Sequence, residues 1–256
     1  MSDSGTMPRL RVIGAFLAQT KYELLHSMRS PQMVVFTVLF PLMFYLLAGF
    51  VFGPFRHPEP HMRSYVLIGF VVMAAMTAGF SSFAGVLAVE REKGLYALRR
   101  ALPMPAGADL IAKTLVALLC VASVVPALMA IGASLGNVQL SLRQSASIAA
   151  LAVAGALPFC ALGFCIGMYA SARAVPAVVN LLMIPMLYLS GALFPLPDSL
   201  GWLARLTPPF YLQQLMLAAA GVPHRFVVSP VGHAAVLAGI TIVFAALALR
   251  RFRLVG

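Results

Sequence analysis

The sequence predicts an all-α integral membrane protein. It has six transmembrane helices, an amphipathic interfacial helix at the N-terminus, a short cytoplasmic helix between spans two and three, and short re-entrant external helices before the last span. Three observations predict this. The 256 residues are 61% hydrophobic with a mean hydropathy of +0.95, more apolar surface than a soluble domain of that size can hide. Six stretches reach the roughly 20 apolar residues that a bilayer core requires. Only 10% of the residues are charged, and these fall between the stretches or at their ends.

The elements follow in order. In residues 8 to 30, Leu10, Ile13, Phe16 or Leu17, Leu24 and Met28 recur at near-helical spacing with Arg9, Arg11, Lys21 and Glu23 between them. This reads as a helix lying at the inner interface and ended by Pro31, against the simpler alternative of a polar leader. The spans are expected over Gln32–Gly53, Ser64–Val89, Asp109–Gly136, Ser145–Ala170, Ala174–Phe194 and Val231–Leu249. Residues 195–230 are too interrupted by proline to span, yet they carry apolar runs around Trp202 and Tyr211–Leu217, which suits two short helices dipping into the outer leaflet. The domain organisation is thus a leader, 1–31, a membrane domain, 32–249, and a basic cytoplasmic tail, 250–256.

An even number of spans puts both termini on one side. With that side cytoplasmic, twelve Lys and Arg lie inside and five outside, with Lys113 just within the third span; the positive-inside rule selects this orientation. Pro41, Pro126, Pro158, Pro176 and Pro185 lie within or at the ends of the spans, where each removes a backbone hydrogen bond. The pairs Gly49/Gly53, Gly132/Gly136 and Gly163/Gly167 have the spacing that lets helix backbones approach, most simply for packing within the chain.

The chemistry that is missing excludes several classes. The formal charge of +11 suggests nucleic acid, but the basic residues form no continuous stripe. None of the seven acidic residues is mid-span, which argues against ion coupling, where an intramembrane carboxylate is retained for function. The five histidines lack metal-ligand spacing and fall mostly in expected external loops, and no G-x-S-x-G is present. Catalytic and metal sites are therefore expected to be absent. Cys120, Cys160 and Cys165 sit in apolar runs as packing residues. The stretch "GADLIAKT", Gly107 to Thr114, matches a phosphate loop except for Ala112, but it opens a membrane span, and Lys113 is expected to snorkel to the inner interface. The start lacks the h-region of a secretory signal.

One stretch, "VEREKGLYALRRALPMP" from Val89 to Pro105, concentrates six charges. Glu90, Arg91, Glu92 and Lys93 carry the second span out of the membrane, and Gly94 can break the helix. Leu95, Leu98 and Leu102 then give a short amphipathic helix with Arg99 and Arg100 on its polar side, stopped by Pro103. Asp109 is placed to cap the third span. Such a helix suits docking to a soluble partner; it equally suits an interfacial helix that fixes topology.

The segment "EREKGLYALRRALP", Glu90 to Pro103, followed by Lys113, resembles the signature of ATP-binding-cassette type-2 permeases, with Leu95 where that family often has Thr. The region "YLSGALFPLPDSLGWLARLTPPFYLQQLMLAAAG", Tyr188 to Gly221, resembles the family's proline-rich region after the fifth span, with compressed spacing. The nearest resemblance is to bacterial drug and daunorubicin-type exporter permeases. It implies a permease half in the bacterial cytoplasmic membrane. Two copies, or one and a homologue, would join two ATP-binding subunits that hold the ATP and Mg, leaving this chain without a cofactor. Glu90, Arg91, Glu92, Gly94, Leu95, Leu98, Arg99, Arg100 and Pro103 would couple it to those subunits. Thr77, Phe80, Ser81, Ser82, Asn180, Met183 and Tyr188 are candidates for the path, whose apolar wall suits hydrophobic or amphipathic cargo such as drugs, antibiotics or lipids. Polysaccharide or glycolipid export and a non-transporting membrane scaffold are the alternatives.

Overall fold

A computed structural model describes residues 20–25, 29, 35–51, 59–95, 108–223 and 229–255. All regular structure among them is helical. Residues 20–25 form a helical turn of the leader. A π-helical turn, Val35–Leu39, leads into α1, Phe40–Val51; then come α2, Pro60–Glu92, α3, Ala108–Ser134, α4, Leu142–Gly155, α5, Leu157–Tyr169, and α6, Val175–Leu189. A 3₁₀ turn, Asp198–Leu200, precedes α7, Gly201–Ala204, α8, Pro208–Ala220, and α9, Pro230–Val255.

Four helices are long and apolar enough to cross a membrane: α2, α3, the α4–α5 pair read as one, and α9. The boundaries move from the expected ones for local reasons. Pro60, at a first-turn position of α2, starts that helix four residues before Ser64. A capping box, Ser141 with Gln144, starts α4 at Leu142 rather than Ser145. The expected fourth span is divided at Ala156, where Pro158 cannot continue the hydrogen-bond ladder. The expected fifth span stops at Leu189, because Gly191 takes φ +73 and turns the chain. Pro126 and Pro185 do lie inside α3 and α6.

The centre of the bundle is α2, with 94% of its most apolar 18-residue window buried. It packs on α5, α3, α8, α6 and α1. The closest seam is with α5 and is made by glycine. A Cβ on Gly79 would lie 2.6 Å from the Phe159 Cβ, one on Gly163 2.9 Å from the Gly79 carbonyl oxygen, and one on Gly167 2.9 Å from the Leu87 Cβ. The Gly163/Gly167 pair therefore packs within the chain, as its spacing suggested.

Between α6 and α8 the chain is held by polar groups. The Tyr65 hydroxyl donates to the Gly191 carbonyl, and the fully buried Gln213 Nε2 donates to the Gly191 and Ala192 carbonyls at 3.3 Å each. The expected short helices are there as α7 and α8. Nine of the thirteen residues of α8 are buried, including Gln213 and Gln214, so its cover is protein more than lipid. His233, grouped with the loop histidines although the expected sixth span, Val231–Leu249, includes it, is a buried residue of α9, its ring 5.3 Å from that of Tyr211 and 6.2 Å from that of Phe210.

Candidate functional site

A cluster of charges lies at one end of the bundle, where α2, α5 and α9 finish and α3 and α6 begin. Glu90, Arg91, Glu92 and Lys93 are the last turn of α2 and its cap, and Gly94, at φ +68, ends the helix by taking the left-handed conformation that an L side chain resists. Leu95 is half-buried. Leu98, Arg99, Arg100 and Pro103 lie outside the described residues.

Each of the first three charges makes an intramolecular bond. The Glu90 carboxylate sits 3.3 Å from Lys113 Nζ. The Arg91 guanidinium donates to the Met168 carbonyl and, at 2.7 Å, to the Ala170 carbonyl, where α5 finishes. The C-terminal carbonyls of a helix lack partners of their own and favour a cation. The Glu92 carboxylate accepts from the Ala172 amide at 2.8 Å, just before α6 begins. One turn of α2 thus fixes the α5–α6 link from both sides.

Lys113 is the largest departure from expectation. It does not snorkel: it is 1% exposed, with its ammonium 2.7 Å from Asp109, 2.9 Å from Glu23 and 3.3 Å from Glu90. The physical reason is that a buried ammonium is tolerated where carboxylates and hydrogen bonds replace water, and the three carboxylates supply that replacement. Asp109 stands in the first turn of α3, its Oδ1 bonded to Lys113 one turn on. The resemblance to a phosphate loop fails here too, because the lysine is already engaged. A metal-binding group of three or more His, Cys, Asp or Glu is absent among the described residues.

Close by, Arg251 of α9 lies 5.7 Å over the Tyr169 ring, and Phe252 packs edge-on to Phe164 at 6.2 Å. These contacts fasten the end of α9 to the end of α5.

Residues 14–220 match the family model for ABC-2 type transporters. The chain belongs to that family. No individual curated protein matches it. It is therefore a membrane permease component of an ABC transporter, of a family that works with an ATP-binding subunit and is not itself the catalyst. In this ABC-2 permease the described part of the charged stretch, Val89–Leu95, lies at the bundle end just described.

The candidate path residues divide between two places. Thr77 and Phe80 are buried within the bundle, the Thr77 hydroxyl donating back to the Ala74 carbonyl at 3.0 Å and the Phe80 ring 6.2 Å from that of Phe159. Met183 is also buried, and Ser81 is half-buried. The side chain of Ser82 lies outside the described ones. Asn180 and Tyr188 instead are exposed on α6, on one stripe with Ile184. The six described side chains do not line one surface of this chain.

Sequence reasoning missed Glu23 as a partner of Lys113 and Gln213 as the anchor of the Gly191 turn. The Asp109–Lys113 spacing of four was a usable signal. Glu23 and Lys113 are ninety positions apart, and nothing local links them.

Proposed function

We propose that this ABC-2 permease is the transmembrane half of an ATP-driven exporter in the bacterial cytoplasmic membrane, moving hydrophobic or amphipathic small molecules out of the cytoplasm or inner leaflet. The observation that carries the reading is the charged end of α2, joined to α3, α5 and α6 by Glu90, Arg91 and Glu92. A push on the link that follows Gly94 would move all four helices together. ATP-binding subunits docked on residues Glu90–Pro103 would deliver that push, two per pair of permeases.

Both termini are cytoplasmic in this reading, supported by the twelve-to-five distribution of basic residues. Six spans are proposed: the four long helices together with Thr37–Val51 and Val175–Leu189. These two have 15 residues each, about 22 Å, short of the roughly 30 Å hydrocarbon core, a mismatch that local thinning of the bilayer accommodates. The exposed stripe of Asn180, Ile184 and Tyr188 faces the second permease copy, and cargo passes between the two. The apolar surroundings favour apolar cargo over sugar chains.

The test is purification of the native complex in mild detergent. A stoichiometric ATP-binding subunit is expected, lost in Gly94→Pro. In Glu92→Arg, chain that still inserts should no longer couple ATP hydrolysis to efflux of a lipophilic dye. A chain that arrives with no ATPase removes the energy source and overturns the reading.

A further inference from the structure

Within residues 20–25 the leader meets the bundle chiefly through a charge. Within residues 20–25, Glu23 alone is buried, at 6% exposed, while Tyr22 is 72% and Leu25 43% exposed. The exposed Tyr22 and Leu25 are the residues an interfacial helix turns to lipid, while Glu23 is turned to the bundle. Glu23 reaches the ammonium that also binds Glu90 at the end of α2 and Asp109 at the start of α3. Three segments distant in sequence therefore converge on one cation.

We propose that Lys113 is a positioning residue: a buried pin that makes the leader, the end of α2 and the start of α3 one rigid block, so that the leader moves with the charged link. The pin rests on the exporter reading only for what the movement achieves; that the leader is held there is a separate claim. The ammonium has three donors and three carboxylates around it, so each segment is tied by its own charge-assisted bond. Removing Glu23 leaves Lys113 with two partners, so the lysine stays compensated while the leader loses its tie.

The experiment compares the full chain with Glu23→Gln and with the exchanged pair Glu23→Lys/Lys113→Glu, which returns one cation to three carboxylates. Amide hydrogen exchange of residues 20–25 reads the tie directly. A lost charge-assisted bond should raise exchange there by about tenfold or more in Glu23→Gln, with the exchanged pair returning toward the original rate. ATP hydrolysis by the native complex reads the consequence: it should fall in Glu23→Gln at undiminished recovery of the ATP-binding subunit, and recover in the exchanged pair. Unchanged exchange in Glu23→Gln overturns the pin, whatever hydrolysis does. An exchanged pair that folds but leaves the leader as fast as in Glu23→Gln overturns it as well. Raised exchange in a chain that never carries an ATPase upholds the pin and removes the exporter reading. Should the exchanged pair fail to fold, Glu23→Gln alone decides.

Discussion

Helices α2 and α9 satisfy the same test of length and apolarity, yet 94% of the apolar window of one is buried in protein and only 17% of the other. Hydropathy measures what a helix avoids, which is water. Whether lipid or protein replaces the water depends on shape and on polar anchors. On α2, glycine admits neighbouring backbone: a Cβ at Gly69 would fall on the Ala192 carbonyl, and one at Gly79 on the Phe159–Cys160 backbone. On α9, a Cβ at Gly239 would meet nothing within 4 Å. The same residue type is a socket at Gly69 and Gly79 and open surface at Gly239, as it is at Gly85 further along α2.

The largest effect that would break this comparison is expected from Gly69→Val. Its side chain has no room beside a carbonyl that Gln213 also holds, and overpacking against backbone should cost more than about 3 kcal/mol. The variant should give little monodisperse protein in size-exclusion chromatography. Normal yield and melting temperature would mean that the turn after α6 does not rest on α2. Next comes a pair of arginines. Arg91→Met removes bonds to two helix-end carbonyls and should cost about 1.5–3 kcal/mol, with faster amide exchange over residues 168–172. Arg251→Met removes a cation–π contact at the rim of α9 and should cost only about 0.5–1 kcal/mol. Equal losses in a thermal-unfolding comparison would erase the distinction between the two helix ends.

The helical architecture was legible because apolar runs of membrane length are a one-dimensional signal. So was the break at Gly94, since glycine acts on the backbone where it stands; the division at Pro158 was not, because Pro126 and Pro185 stand inside unbroken helices. The partners of the charges were not legible. Arg91 and Glu92 bind backbone groups at 168–172, some eighty positions away, and a backbone carbonyl leaves no trace in the residue type that bears it. Lys113 looked like a snorkelling residue because its position near a span end fits both roles, and only the arrival of Glu23 and Glu90 separates them. The burial of His233 was not legible because its aromatic neighbours lie on another helix. Local rules thus located the charged end without showing that its charges turn inward.

The smallest effect is the one that sharpens the comparison most. Gly239→Leu adds four carbons to the face of α9 that carries Ile242 and Val243, both more than half exposed. If that face meets only lipid, the added side chain costs no packing, and leucine is slightly favoured over glycine in a helix within hydrocarbon. Stability should then shift by no more than about 0.5 kcal/mol, with unchanged yield and unchanged assembly. A clear loss of assembly at normal monomer stability would mean that α9 packs on protein in the complex. The low burial of α9 would then belong to the isolated chain, and its exposed face would be an interface in the same sense as the glycine seam of α2.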